Sequence, residues 1–272
     1  MNNDTLTSVN SGETISQVDN TLEHVLNIMP ALILWLIRSG ISHSEFSTAL
    51  KALFYNEAIK ELDHIQQKKT DSAISLLSGL NRRDIRHFCQ TYGEYTPLQL
   101  DNIRLPISVP ARVVALWSSE GLPQRLPMYG DEPSFEYLVK QISSDKHPKS
   151  ILLELKRLGI AQEMDDHVIL QSSGFSPDPK ADESKQLFTQ NASDHLYAGI
   201  NNLTQHTNFL EQAVFADELS PESVKKLNQL SKNLWGMMRE ALVMAALDYC
   251  KNDEGTTEAN QHFRVGIYQY HQ

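Results

Sequence analysis

Apolar residues recur at helical spacing through most of the chain, and the breaks between them fall on glycine, proline and capping residues. Leu22, Val25, Leu26, Met29, Leu32, Ile33 and Leu36 predict a first helix over about 21–38, and Trp35 and Ile37 widen its apolar surface almost all round. Such a helix reads as a core element. Gly40 ends it, and Ser42 with Glu45 has the spacing of a capping box. A second helix then runs to about Leu62, with Phe46, Ala49, Leu50, Leu53 and Phe54 turned inward.

The stretch TDSAISLLSGLNRRDIRHFCQ is the most informative. Thr70 can cap a short helix to Leu77, Gly79 permits a tight turn, and Asn81 can cap the next helix with Asp84 in its first turn. Ile74, Leu80, Ile85 and Phe88 would pack the two helices together. That is the pattern of a helix-turn-helix over about 71–91. Farther on, a helix opening at Pro110, a helix SFEYLVKQI, a helix KSILLELKRL and a hairpin turning at Asp165-Asp166 follow in the order of a winged helix. The last third holds a helix near 193–204, a stretch NFLEQAVFAD that is extended or helical, and a long helix from Ser220-Pro221 to about Tyr249. It ends in FRVGIYQYH, whose aromatic and β-branched residues predict a strand.

The expected architecture is mainly α (α+β). It comprises a flexible tail over 1–20, an N-terminal helix-turn-helix domain over 21–105 and a winged-helix-like unit over 106–172. A Ser-, Pro-, Asp- and Lys-containing linker over 173–192 and a C-terminal helix/strand domain over 193–272 complete it.

Charge qualifies this picture. The net charge is −10, which counts against a nucleic-acid binder. Binding depends on local patches, however. Between Lys68 and Gln90 the five basic residues exceed the acidic ones by three, whereas from Ser176 onward thirteen acidic residues face eight basic ones. On the helix after Asn81, residues Arg82, Arg83, Arg86, His87 and Gln90 fall on the face left free by Ile85, Phe88 and Cys89. Arginine can pair bidentately with guanine, and Asn or Gln with adenine. Asn81, Arg82, Arg83, Arg86, His87 and Gln90, with Lys68 and Lys69 on phosphate, are therefore the candidate DNA-binding residues. The plainer alternative is two short helices that pack together with solvated arginines. In the middle unit, Glu163, Asp165 and Asp166 on the hairpin would repel phosphate, which points to protein contact or dimer packing instead.

No catalytic motif is found: no P-loop, no G-x-G-x-x-G, no H-E-x-x-H and no G-x-S-x-G. The ten histidines are scattered, and none sits at metal-ligand spacing from another ligand. No enzyme activity, cofactor or metal is expected. Cys89 lies on a packing face, and two cysteines give no disulfide framework, which suits a reducing cytoplasm. The run Ile28–Ile37 is ten residues and contains Pro30, too short to span a bilayer, so it reads as a buried helix and no membrane partner is expected. Leu227, Leu230, Leu234, Met237, Met238, Leu242, Met244 and Leu247 make an apolar stripe that reads as core, with a homodimer seam as the alternative.

Four blocks, TDSAISLLSGLNRRDIRHF, PSFEYLVKQISSDKHPKSILLELKRLGI, FLEQAVFADELSPESV and FRVGIYQYH, together resemble an uncharacterised bacterial family catalogued as a domain of unknown function. The resemblance covers most of residues 21–272. It implies a helix-turn-helix architecture and no established activity. The leading expectation is a DNA-binding, dimeric regulator. Its rival is an interaction adaptor whose helix-turn-helix folds serve only for packing.

Overall fold

Local capping chemistry places most of the helix boundaries. The computed structural model describes residues 11–99, 105–130, 133–171 and 179–271, with the backbone alone for 11–19 and 179–182. The fold is mainly α, with one small antiparallel sheet. The chain divides into two units, Met1–Ser176 and Pro177–Gln272.

Helix α1 spans Ser11–Arg38, so residues 11–20 are helical where a flexible tail was expected; residues 1–10 lie outside the described residues. Helix α2 spans His43–His64 and opens on the capping box of Ser42 and Glu45. Helices α3 (Asp71–Ser78) and α4 (Arg82–Tyr92) follow, capped by the Thr70 and Asn81 side chains. Their shared core holds Ala52, Tyr55, Ile59, Leu62, Ile74, Ile85 and Phe88, with Leu80 and Cys89 packed against it. The buried face of α2 is thus not the one anticipated, because Leu53 and Phe54 are exposed. Helix α2 carries two apolar stripes, and the shape of the α3–α4 pair decides which one is covered. Buried Asn56 holds the chain beyond α4 in place: its Nδ2 donates to the Leu98 carbonyl at 2.8 Å and its Oδ1 accepts from the Leu98 N–H at 2.6 Å.

Helix α5 (Val109–Ser119), strand β1 (Arg125–Pro127), helices α6 (Phe135–Ile142) and α7 (Pro148–Arg157), and strands β2 (Ala161–Met164) and β3 (His167–Leu170) form a second core. Trp117, Phe135, Leu138, Leu152, Leu155 and Val168 are almost wholly enclosed there. The sheet order is β1-β3-β2, with Leu126 opposite Val168 and Glu163 also opposite Val168 on the other side. Asp165 and Asp166 both have positive φ, which makes the two-residue turn a twisted one suited to a hairpin. Strand β1 was not anticipated. Three residues ending in proline are too few to show alternation, and proline is tolerated because β1 is an edge strand.

Helix α1 departs from its expected role. Leu22, Val25, Leu26, Ile28, Ile33, Leu34 and Ile37 are exposed, so it is not the core element that its apolar periodicity suggested. The whole window Asn20–Arg38, at 19 residues, is long and apolar enough by length and composition to cross a membrane, and none of it is buried; the ten-residue run understated it. Periodicity records that a face seeks cover and does not say what supplies the cover.

The second unit contains helices α8 (Pro179–Thr204) and α9 (Pro221–Asp253). Helix α8 begins inside the segment read as a linker. The composition that suggested a linker also contains Ala181, Glu183, Lys185, Gln186 and Leu187, which favour helix once proline starts it. Residues 208–217 and 263–271 form neither helix nor strand among the described residues, so the strand expected at the end is absent there. Its residue types suit a sheet, but no described strand of that unit offers a ladder. The segment is instead attached through side chains, with Arg264 bonding Asp194 at 2.6 Å and Tyr268 beside the His195 ring. No described residue of 183–271 is buried, which overturns the reading of the α9 stripe as core.

Candidate nucleic-acid interface

The α3–α4 pair is built around a three-residue turn. Gly79 takes φ +70°, a left-handed conformation that a side chain would strain. Ser75 Oγ donates to the Leu80 carbonyl at 2.7 Å, and Ser78 Oγ accepts from the Leu80 N–H at 3.2 Å. The turn is therefore satisfied by the helix it leaves. The Asn81 Oδ1 then accepts from the Asp84 N–H at 2.8 Å and starts α4.

Ile85 and Phe88 bury one side of α4, and Phe88 meets the Tyr55 ring edge-on with centroids 5.2 Å apart. The opposite side is exposed at Arg83, Arg86, His87 and Gln90, and Arg82 is exposed at the first position of the helix. Arg83, Arg86, His87 and Gln90 are spaced by three, one and three residues and so line one stripe of the helix. Tyr55, beneath α4, has its phenol held well above the ordinary range by burial and then by its contact with Cys89.

The candidate residues have different partners. Asn81 is occupied as a cap, and its Nδ2 also donates to Asp84 at 3.0 Å. Arg86 Nε bonds Asp71 Oδ2 at 3.2 Å, yet its side chain stays 64% exposed. Asp71 also accepts from the Tyr95 hydroxyl at 3.2 Å, and burial, then that bond, raises the Tyr95 phenol. Lys69 pairs with Asp63 at 2.8 Å. Asp84 is balanced by Lys51 at 2.9 Å, a basic residue of α2 not singled out from sequence. Only the spatial neighbourhood reveals that pair, since the two residues lie far apart in the chain. Among the described residues, Lys68, Arg82 and Arg83 are exposed and have no protein partner.

Helix α7 offers a contrast. Its Lys156 bonds Glu163 at 2.8 Å, and Arg157 bonds Glu154 at 2.6 Å and the Ile37 carbonyl at 2.8 Å. The bonds from Lys156 and Arg157 hold the Glu163 and Glu154 carboxyls below the usual carboxylate range. His147 caps α7, its Nδ1 accepting from the Lys149 N–H at 3.2 Å. Among the described residues, no three His, Cys, Asp or Glu side chains converge as a metal site.

A model described as a family of unknown function, DUF6502, matches residues 21–206, more than half of the chain. The chain belongs to that family. The DUF6502 match takes in α2 through α8 with the three strands, and it stops before α9. No curated protein matches the chain, and no solved structure does. The DUF6502 assignment carries no activity, so the chemistry of the α4 surface has to carry the functional reading.

Proposed function

We propose that this DUF6502 protein binds double-stranded DNA through α3 and α4 acting as a helix-turn-helix, in a non-catalytic and regulatory role. The observation that carries the reading is the α4 surface. Arg82 and Arg83, which have no protein partner among the described residues, stand beside the exposed Arg86, on a helix held by Ile85 and Phe88. A recognition helix needs one apolar face for anchorage and one polar face for the groove. Arg83, Arg86, His87 and Gln90 are the base-edge candidates; a bidentate arginine–guanine pair is worth about 1–3 kcal/mol of discrimination. Lys68 and Arg82 serve phosphate. Lys69 joins them only if it leaves Asp63, and Asn81 acts through the cap and not through DNA.

The unit α5–β3 has the helix and strand order of a winged helix and braces the reader; its paired cations and acidic hairpin suit protein contact. One observation favours the adaptor reading for α3 as well: Leu76 is 85% exposed and Leu77 is exposed beside it. An adaptor would use that apolar pair and leave the arginines idle.

The test is a salt titration of binding to a mixed-sequence duplex by the full chain. Replacing Arg82, Arg83 and Arg86 together by Ala should weaken binding and reduce the slope of log affinity against log salt by roughly 2–3, about 0.9 for each phosphate that is no longer neutralised. An unaltered slope overturns the assignment, and binding of protein but not DNA through Leu76 and Leu77 turns it to the adaptor.

A further inference from the structure

Asp71 is bonded at both of its carboxylate oxygens, by α4 and by the chain beyond it. Oδ2 accepts from Arg86 Nε at 3.2 Å, and Oδ1 accepts from the Tyr95 hydroxyl at 3.2 Å. Each donor is itself held. Arg86 follows the buried Ile85 on a helix anchored again at Phe88. Tyr95 packs against the α2–α4 core, and three residues farther on Leu98 is pinned by buried Asn56. Asp71 occupies the first position of α3, where the helix dipole favours a negative charge. Its carboxylate therefore has a fixed place and a fixed orientation.

An ion pair this exposed adds little stability, so stability does not account for it. Its geometry points elsewhere. The bond takes Nε and leaves both Nη groups without a protein partner among the described residues, on a side chain that stays largely exposed. A guanidinium is planar and rigid, so holding Nε fixes the direction of the Nη edge. An arginine must give up rotamer freedom before it can pair with a base, and one held beforehand loses less on binding. The carboxylate also offsets the charge of Arg86, which weakens its sequence-independent attraction to phosphate. Both effects favour discrimination over raw affinity. Arg82 and Arg83 have no such restraint among the described residues.

We infer that Asp71 is a positioning residue that sets Arg86 to pair through its Nη edge with a guanine in the major groove, while Tyr95 holds the Asp71 carboxylate in turn. The inference rests on α4 being the DNA-reading helix. The two Nη groups donate to guanine O6 and N7. Adenine keeps N7 but presents an amino donor in place of O6, so one of the two bonds is lost there. Arg86 is thus the residue on α4 whose base preference depends on a second residue of the fold.

Selection of duplexes from a randomised pool by the full chain tests it, with Arg86→Ala, Asp71→Ala and Tyr95→Phe variants. Arg86→Ala should erase one guanine preference and so mark the position that Arg86 reads. Asp71→Ala should reduce the preference at that same position by roughly tenfold, within the ~5- to 150-fold that a bidentate arginine–guanine pair confers. Its affinity for a mixed-sequence duplex should hold or rise, because a negative charge is gone. A merely structural role would instead lower affinity and leave the base preferences as they were. Tyr95→Phe keeps the ring and loses only the hydroxyl; it should act in the same direction by a smaller factor, and it decides the outcome should Asp71→Ala fail to fold. A native chain that retains no duplex overturns the DNA reading and the positioning role together. A native chain whose selected sequence is unaltered by Asp71→Ala and Tyr95→Phe overturns the positioning role alone, as does binding with no guanine preference that depends on Arg86.

Discussion

Helices α4 and α7 are built alike: each follows a shorter helix, each is set by a side-chain cap at its first turn, each buries an apolar face, and each carries several basic residues. Among the described residues, the carboxylates near α4 engage Arg86 alone of its arginines, and Asp84 is itself balanced by Lys51. On α7, Lys156 and Arg157 each have a carboxylate, and the exposed Leu153 lies between them and Lys149. Counting basic residues does not separate the two helices. What separates them is how much of the positive charge remains available after the protein has bonded to itself. Exposed ion pairs add little stability, so the pairs on α7 matter chiefly as neutralised surface.

Removing the anchors gives the largest effect. Phe88→Ala should cost about 3–5 kcal/mol and Leu152→Ala about 2–5 kcal/mol, read by urea unfolding. Only Phe88→Ala should also reduce DNA affinity in the protein that remains folded, since only α4 is proposed to meet the groove. Asn81→Ala comes next: loss of the cap should lower stability by about 1 kcal/mol. Binding measured at saturating folded fraction should then change little, in contrast to the arginine variants. Asp71→Asn sharpens the contrast with a change of sign. It removes a partly exposed partner and should lower stability by under ~1 kcal/mol, yet it releases Arg86 and removes a negative charge beside the proposed DNA-binding face, so affinity should rise.

The smallest effect is one of pH. Glu154 and Glu163 have folded pKa values below their ordinary ones, so the stability they contribute is present above the ordinary glutamate value and is lost as pH falls through the depressed one. Thermal scans through acid conditions should show a slight decline as those carboxylates protonate.

Elements fixed by chemistry between near neighbours were legible from sequence. The Ser42–Glu45 box, the Thr70 and Asn81 caps, the Gly79 turn and the Asp165–Asp166 hairpin each need only residues within a few positions. Features that depend on distant contacts were not. The Lys51–Asp84 and Asp71–Arg86 pairs join separate helices, and they determine which candidate cations stay available. The choice of buried stripe on α2 required the shape of α3 and α4. The exposure of α1 and α9 shows the same limit, since an apolar stripe looks identical whether its cover comes from the same chain or from another. Residues 263–271 carried a β-strand composition into a region with no described strand to pair with.

Amide hydrogen exchange of the full chain, with and without a mixed-sequence duplex at low salt, tests whether α3 and α4 meet DNA. Added DNA should slow exchange across Arg82–Gln90 and the turn at Gly79–Asn81 while leaving Pro148–Arg157 as it was. Slowing confined to α7 and its hairpin, or no change anywhere in α3 and α4, would contradict a DNA-reading role for α4.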